Sequence, residues 1–205
     1  MKELKEYIRS IPDFPEKGII FRDVTSVLQD ADALKLSIDE LAKRLEGVDF
    51  DVIAGAESRG FIFGAPLAYV MHKPFVPIRK KGKLPCETVE KTYDLEYGTA
   101  TIEMHKDAVK KGEKVVLLDD LIATGGTMKA AAELVEELGG EVVKMLFLIE
   151  LSDLNGREVL KDYDVDSVVQ FEGNKIWFET GVKEWMKALH AMGHTMVCPV
   201  VVGAF

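Results

Sequence analysis

The chain has 205 residues, room for one domain with an appendage, and a globular composition of 47% hydrophobic and 30% charged residues. Its net charge of −9 and pI near 5.0 argue against a general nucleic-acid binder, which carries a basic face. The sequence has no apolar run of about 18 residues to span a bilayer. Its mixed-charge N-terminus lacks a secretory signal core, so a cytoplasmic protein is expected.

In chain order, residues 32–47 place Ala33, Leu34, Ile38, Leu41, Ala42 and Leu45 at helical spacing, with Gly47 as a stop. FDVIAGAE (50–57) reads as a buried strand, GFIFGAPLAYVM (60–71) as a helix packed on it, and KPFVPIRK (73–80) as a second strand. Residues 81–97 are polar with little period, a connection of the length that functional loops have. GTATIEMH (98–105) alternates like a strand, and EKVVLLDD (113–120) is a further buried strand. MKAAAELVEELGG (128–140) is an amphipathic helix with Ala131, Leu134, Val135 and Leu138 on one face. EVVKMLFLIE (141–150) and VDSVVQF (165–171) complete the strands. Strands alternating with helices predict an α/β fold: a mainly parallel twisted sheet flanked by helices, with right-handed crossovers. Such sheets bind ligands outside the carboxyl ends of their strands. Cys86 and Cys198 have no metal-ligand or CxxC spacing and read as free thiols of a reducing compartment.

The most informative stretch is VVLLDDLIATGGT, residues 115–127. Gly125 and Gly126 permit backbone angles that turn N–H groups inward, and the following helix adds its positive end. Thr124 and Thr127 add hydroxyl donors. The spacing is not the GxxxxGK(S/T) of nucleotide hydrolases. Asp119 and Asp120 directly precede this phosphate-binding turn, and an acidic pair repels phosphate. A sugar phosphate resolves the conflict: its hydroxyls donate to the acids while its phosphate lies in the turn. Adjacent strand residues point to opposite faces, so the two acids need not crowd each other.

This stretch resembles the phosphoribosyl-pyrophosphate binding motif of the type I phosphoribosyltransferases. More narrowly, IPDFPEKGIIFRDVTSVLQD, AGAESRGFIFGAPLA, PIRKKGKLP and DLEYG are similar, in order and spacing, to the adenine-specific branch of that family. The resemblance covers about residues 5–172. It implies the type I fold with a small N-terminal hood, a transferase domain over residues 1–172, and a C-terminal extension over 173–205.

The implied reaction joins adenine to phosphoribosyl pyrophosphate, giving AMP and pyrophosphate, with Mg²⁺ carried by the phosphoribosyl pyrophosphate and no direct protein ligation of metal. Within it, Asp119, Asp120 and the turn Ala123, Thr124, Gly125, Gly126 and Thr127 would hold the ribose 5-phosphate. Glu57, Ser58, Arg59 and Gly60, with an expected cis peptide between Glu57 and Ser58, would form the pyrophosphate loop. Arg79, Lys80 and Lys83 would clamp the same group, although a basic run by itself is commonly a solvated face. Residues 81–97 would be a mobile lid, with Glu96 beside the reacting base nitrogen and Tyr97 closing the lid; Arg59, Glu96 and Tyr97 are the implied catalytic groups. Ile20, Phe21 and Arg22 would contact the base. The resemblance also implies a homodimer. Two alternatives stay open: the same transfer to another purine, or a non-catalytic ligand-sensing protein of this fold. Retention of Glu96, Tyr97 and the Arg79-to-Lys83 cluster favours an enzyme. Beyond Glu172 the similarity stops, and Trp177, Val182, Trp185, Met186 and Leu189 could form the face of an added helix ahead of a last strand.

Overall fold

The computed structural model describes residues 2–14, 17–94 and 98–172. A short helix α1 (Leu4–Tyr7) leads into strands β1 (Arg9–Pro12) and β2 (Ile20–Asp23). These pair antiparallel, with Ser10 opposite Arg22 and Ile11 opposite Phe21. This hairpin is the hood of the expected fold. The Asp23 carboxylate accepts the Thr25 N–H at 2.9 Å where α2 (Thr25–Leu28) begins. Asp30 caps α3 (Ala31–Lys43) by accepting the Asp32 and Ala33 N–H groups at 2.9 and 3.0 Å. The helix stops short of Gly47, which takes a φ of +77° to turn the chain into the next strand.

That strand, β3 (Val52–Ala56), is buried along its whole length. The peptide between Glu57 and Ser58 is cis, where the resemblance implied it. Helix α4 (Arg59–Val70) and β4 (Phe75–Lys80) follow. Helix and strand close tightly because Gly55 and Gly64 leave room for the Phe75 ring; a Cβ at either would stand 2.8 or 2.5 Å from it.

Residues 81–97 differ from the expected irregular connection. Thr88–Asp94 form a strand, β5, paired antiparallel along its length with β6 (Thr99–His105). The arm extends the edge of the sheet: Val89, Lys91 and Tyr93 on one face are partly covered, and Glu90, Thr92 and Asp94 on the other are exposed. Neither face enters the core, so polar residues occupy both and the sequence shows little apolar alternation. Strand β7 (Lys114–Ile122) leads to α5 (Gly126–Glu137), which starts two residues earlier than expected. Then come β8 (Glu141–Leu151), a 3₁₀ turn (Ser152–Leu154), the short α6 (Gly156–Val159) and β9 (Val165–Phe171).

The main sheet runs β5-β6-β4-β3-β7-β8-β9. β4, β3, β7, β8 and β9 are parallel neighbours, and β6 and β5 add an antiparallel edge. Strand alternation divides the core in two. Val116 and Leu118 of β7 face Phe63 and Leu67 of α4 and Leu41 of α3. Val115 and Leu117 face Ala131, Leu134 and Val135 of α5. All of these are fully buried, and each large aliphatic side chain so placed contributes about 1.5–3 kcal/mol. The two layers also fix the site. From β3 the chain crosses to β4 on one side, and from β7 it crosses to β8 on the other. The crossover helices lie on opposite faces, so a crevice opens between the carboxyl ends of β3 and β7, as it does at any such switch point.

Candidate active site

A cavity of 440 Å³ occupies that crevice. The end of β7 gives it two acids. Asp120 is buried and Asp119 half-buried, and the Asp120 N–H donates to Asp119 Oδ1 at 2.8 Å. The acids are therefore closer partners than their opposite strand faces imply. Burial, reinforced by the charge of Asp120, raises the Asp119 pKa well above the usual carboxylate range. Burial also raises Asp120, against the opposing charge of Arg59. Arg59 Nε lies 2.7 Å from Asp120 Oδ2, but its N–H is not aligned for a hydrogen bond. Gly60 brings the first turn of α4 onto this strand end, since a Cβ there would meet Asp119 Oδ1 at 2.9 Å.

The turn after β7 forms the floor. Ala123, Thr124, Gly125, Gly126 and Thr127 all line the cavity. Gly125 has a φ of +82°, the left-handed conformation that the sequence assigns to glycine here. Helix α5 starts immediately after it and has no acid in its first turn. Its amino end thus presents unopposed N–H groups, an anion site. The Tyr93 hydroxyl of β5 lies 3.0 Å from the Thr127 hydroxyl and closes this side.

The opposite wall is cationic. Arg79 Nε donates to Glu57 Oε2 at 3.1 Å, Nη2 to Oε1 at 3.4 Å, and Nη1 to the Lys83 carbonyl at 3.0 Å. Glu57 also accepts the Lys80 N–H at 3.1 Å. Its carboxylate is therefore spent on aiming the basic segment. Below that segment, Glu103 Oε1 accepts the Lys83 and Leu84 N–H groups at 2.8 and 2.7 Å. Burial pushes the Glu103 carboxyl up, but the N–H groups of Leu84, Gly82 and Lys83 and the charge of His105 outweigh it and hold the pKa below the ordinary value. Lys81, which the sequence reading left out, also lines the cavity and pairs with Glu90 at 2.6 Å.

The cavity thus brings together Glu57, Ser58, Arg59, Arg79, Lys80, Asp119, Asp120 and the 123–127 turn. Gly60 and Lys83 support it from behind. Ile20, Phe21 and Arg22 are not among the described residues that line it. Phe21 packs edge-on against Phe14 at 5.3 Å. Arg22 stacks over Phe171 at 4.2 Å and donates to Ser10 Oγ at 2.5 Å; burial lowers its pKa. Glu96, Tyr97 and the helix expected after Glu172 lie outside the described residues. Sequence reasoning missed Tyr93 and Glu103. Nothing in the local pattern marks Glu103, whereas Tyr93 is the one large aromatic of the strand-forming run 88–94.

The phosphoribosyl transferase domain family matches residues 24–185. The chain is 79% identical over 173 residues to the adenine phosphoribosyltransferase of Agathobacter rectalis, covering 84% of this chain and 99% of that protein. It is 58% identical to the crystal structure of adenine phosphoribosyltransferase from Thermoanaerobacter pseudethanolicus, with a TM-score of 0.79 over 82% of this chain and 98% of that one. At 40% identity and a TM-score of 0.76, it is similar to the Saccharomyces cerevisiae enzyme, crystallised with an imino-altritol bisphosphate and adenine; this match covers 80% of the chain and 96% of the yeast one.

Proposed function

The chain belongs to the phosphoribosyl transferase family, among its adenine phosphoribosyltransferases, and from that premise we propose how its residues share the reaction. The enzyme moves the 5-phosphoribosyl group of phosphoribosyl pyrophosphate to adenine, a purine-salvage step that yields AMP and pyrophosphate. A bond forms between ribose carbon 1 and an adenine ring nitrogen, the bond from that carbon to the diphosphate oxygen breaks, and the nitrogen loses its proton. Positive charge grows on the sugar and negative charge on the leaving group, so fixed charges on opposite sides of carbon 1 lower the barrier.

In our assignment the 5-phosphate lies in the Ala123–Thr127 turn, and the ribose hydroxyls donate to Asp119 and Asp120. The Ser58 and Gly60 N–H groups, with Arg59, Arg79, Lys80 and Lys83, receive the diphosphate. Glu57 holds Arg79 in line. Arg59, paired with Asp120, couples the ribose side to the leaving-group side. Glu96 faces the reacting nitrogen as proton acceptor or electrostatic partner, Tyr97 closes over it, and Ile20, Phe21 and Arg22 hold the base. Two carboxylates against one guanidinium leave negative charge facing the cavity. This fits Mg²⁺ carried by the substrate, which Asp119 and Asp120 would hold through water; when bound, it would neutralise charge on the leaving diphosphate.

We assign residues 1–172 to the transferase domain and 173–205 to an extension of it, in a cytoplasmic protein. Among the described residues, no helix is long and apolar enough to cross a membrane. A homodimer suits the outer face of α4, where Ile62, Tyr69 and Val70 are exposed. The observation that carries the catalytic reading is a cavity whose acid pair lies between a phosphate turn and a basic strand end. Product analysis with phosphoribosyl pyrophosphate, Mg²⁺ and each purine in turn tests it. AMP from adenine, with little product from hypoxanthine, guanine or xanthine, is expected; no AMP would overturn it.

A further inference from the structure

The phosphate turn rests on a second loop that the reaction scheme does not use. Gly125 has no side chain where the Gly156 carbonyl passes; a Cβ would stand 2.7 Å from that oxygen. Reciprocally, a Cβ on Gly156 would stand 2.4 Å from the Ala123 carbonyl and 2.8 Å from Ile122. Gly125 thus admits the Gly156 carbonyl, Gly156 admits the Ala123 carbonyl, and the two loops meet backbone to backbone. Gly156 is buried, and the residue beside it is anchored firmly. Arg157 Nε and Nη2 donate to the two oxygens of Glu150 at 2.7 Å each, and Nη1 donates to the Val165 carbonyl at 2.6 Å. Glu150 is buried, takes the Ser167 hydroxyl as well at 2.5 Å, and pairs in register with Ile122. A closed path runs from Ile122 across to Glu150, through Arg157 to Gly156, and back up to Ala123. Fork-to-fork guanidinium–carboxylate pairs of this kind fix orientation as well as distance.

We propose that Gly156 and the Arg157–Glu150 pair are positioning residues for the ribose-phosphate site: they form a seat that sets the height of the Ala123–Thr127 turn in the cavity. The seat lies behind the turn, away from the basic wall, so it acts on the 5-phosphate and not on the diphosphate. The inference rests on our assignment of the 5-phosphate to that turn.

The test measures AMP and Mg²⁺–pyrophosphate binding separately, by calorimetry, on Gly156→Ala, Arg157→Lys and Thr127→Val, each with its Tm recorded. Arg157→Lys keeps the charge and loses the fork, so it carries the test if Gly156→Ala does not fold. In Gly156→Ala, AMP affinity is expected to fall about tenfold or more, the loss of roughly one hydrogen bond to a charged phosphate. Arg157→Lys should show a smaller loss in the same direction, and pyrophosphate affinity should hold within about twofold in both. A seat that served stability alone would lower Tm and leave AMP binding intact at low temperature; that result overturns the proposal, as does an equal loss for both ligands. Thr127→Val separates the premise from the inference. If it weakens AMP while the seat variants do not, only the seat falls. If all three leave AMP binding unchanged, the phosphate is not in the turn.

Discussion

The Tyr93 hydroxyl lies 3.0 Å from the Thr127 hydroxyl, joining the β5–β6 arm to the first turn of α5. A Lys91–Glu133 ion pair at 2.6 Å fastens the same strand to the same helix farther along. Burial raises the Tyr93 pKa, and the charge of Asp119 adds to it against the bond to Thr127. The phenol therefore stays protonated, and either hydroxyl can donate to the other; with the phenol as donor, the Thr127 O–H is left to point at a phosphate. Tyr93→Phe removes that orientation. We expect KM for phosphoribosyl pyrophosphate to rise about 3- to 10-fold, the range of one ordinary hydrogen bond, with a smaller change in kcat. Steady-state kinetics check this, and an unchanged KM would mean that Thr127 needs no such partner.

In the proposed scheme, Asp119 sets ribose binding against stability. Its folded-state pKa is raised by burial and by Asp120, so its favourable contribution is complete below the ordinary aspartate value and is lost as pH rises through the folded value. At neutral pH the ligand-free protein carries that deficit. Asp119→Asn keeps an oxygen to accept the Asp120 N–H and removes the charge. It should raise the Tm of the ligand-free enzyme by roughly 2–4 °C at pH 7, the shift that about 1 kcal/mol produces at this chain length. The gain should shrink as pH falls. Binding of phosphoribosyl pyrophosphate should weaken at the same time. A Tm that does not rise, or an unchanged affinity, would contradict the assignment.

Glu103 behaves in the opposite sense. Its folded-state pKa lies below the ordinary value of 4.5, so its contribution is present above that value and is lost as pH falls through the folded one. Glu103→Ala orphans the Lys83 and Leu84 N–H groups and should cost about 1–3 kcal/mol. It should also flatten the acid limb of the stability curve and loosen the loop behind Arg79, raising KM for pyrophosphate in the reverse reaction. Denaturation across pH and reverse-direction kinetics read both effects. A KM unchanged in a folded variant would limit Glu103 to a structural part.

The parts of the site legible in the sequence are those built from one contiguous piece of chain. Asp119, Asp120 and the 123–127 turn form one strand–turn–helix passage, and Glu57 to Gly60 form another. Residue types alone pointed to the first, whereas the second and its cis peptide were implied by the family resemblance. The groups that escaped are those whose partners lie far along the chain. Glu103 meets Lys83 and Leu84 across an antiparallel pair, and Gly156 meets Ala123 across two strands. Tyr93 was hidden for another reason: β5 is an edge arm with no fully buried face, so no period marks it as a strand. The parallel order of the main sheet followed from the alternation of elements, whereas the short β1–β2 hairpin carries too few residues to show a period.

The central claim is that one cavity is divided between two anion sites, the 5-phosphate in the Ala123–Thr127 turn and the diphosphate on the Arg79 wall. Arg79→Gln tests it most directly, with affinities for AMP, Mg²⁺–pyrophosphate and phosphoribosyl pyrophosphate measured on the same preparation. The account predicts that pyrophosphate and phosphoribosyl pyrophosphate lose about tenfold or more, the scale of a charge-assisted hydrogen bond, while AMP holds within about twofold. An equal loss for AMP, or no loss for pyrophosphate, would contradict it.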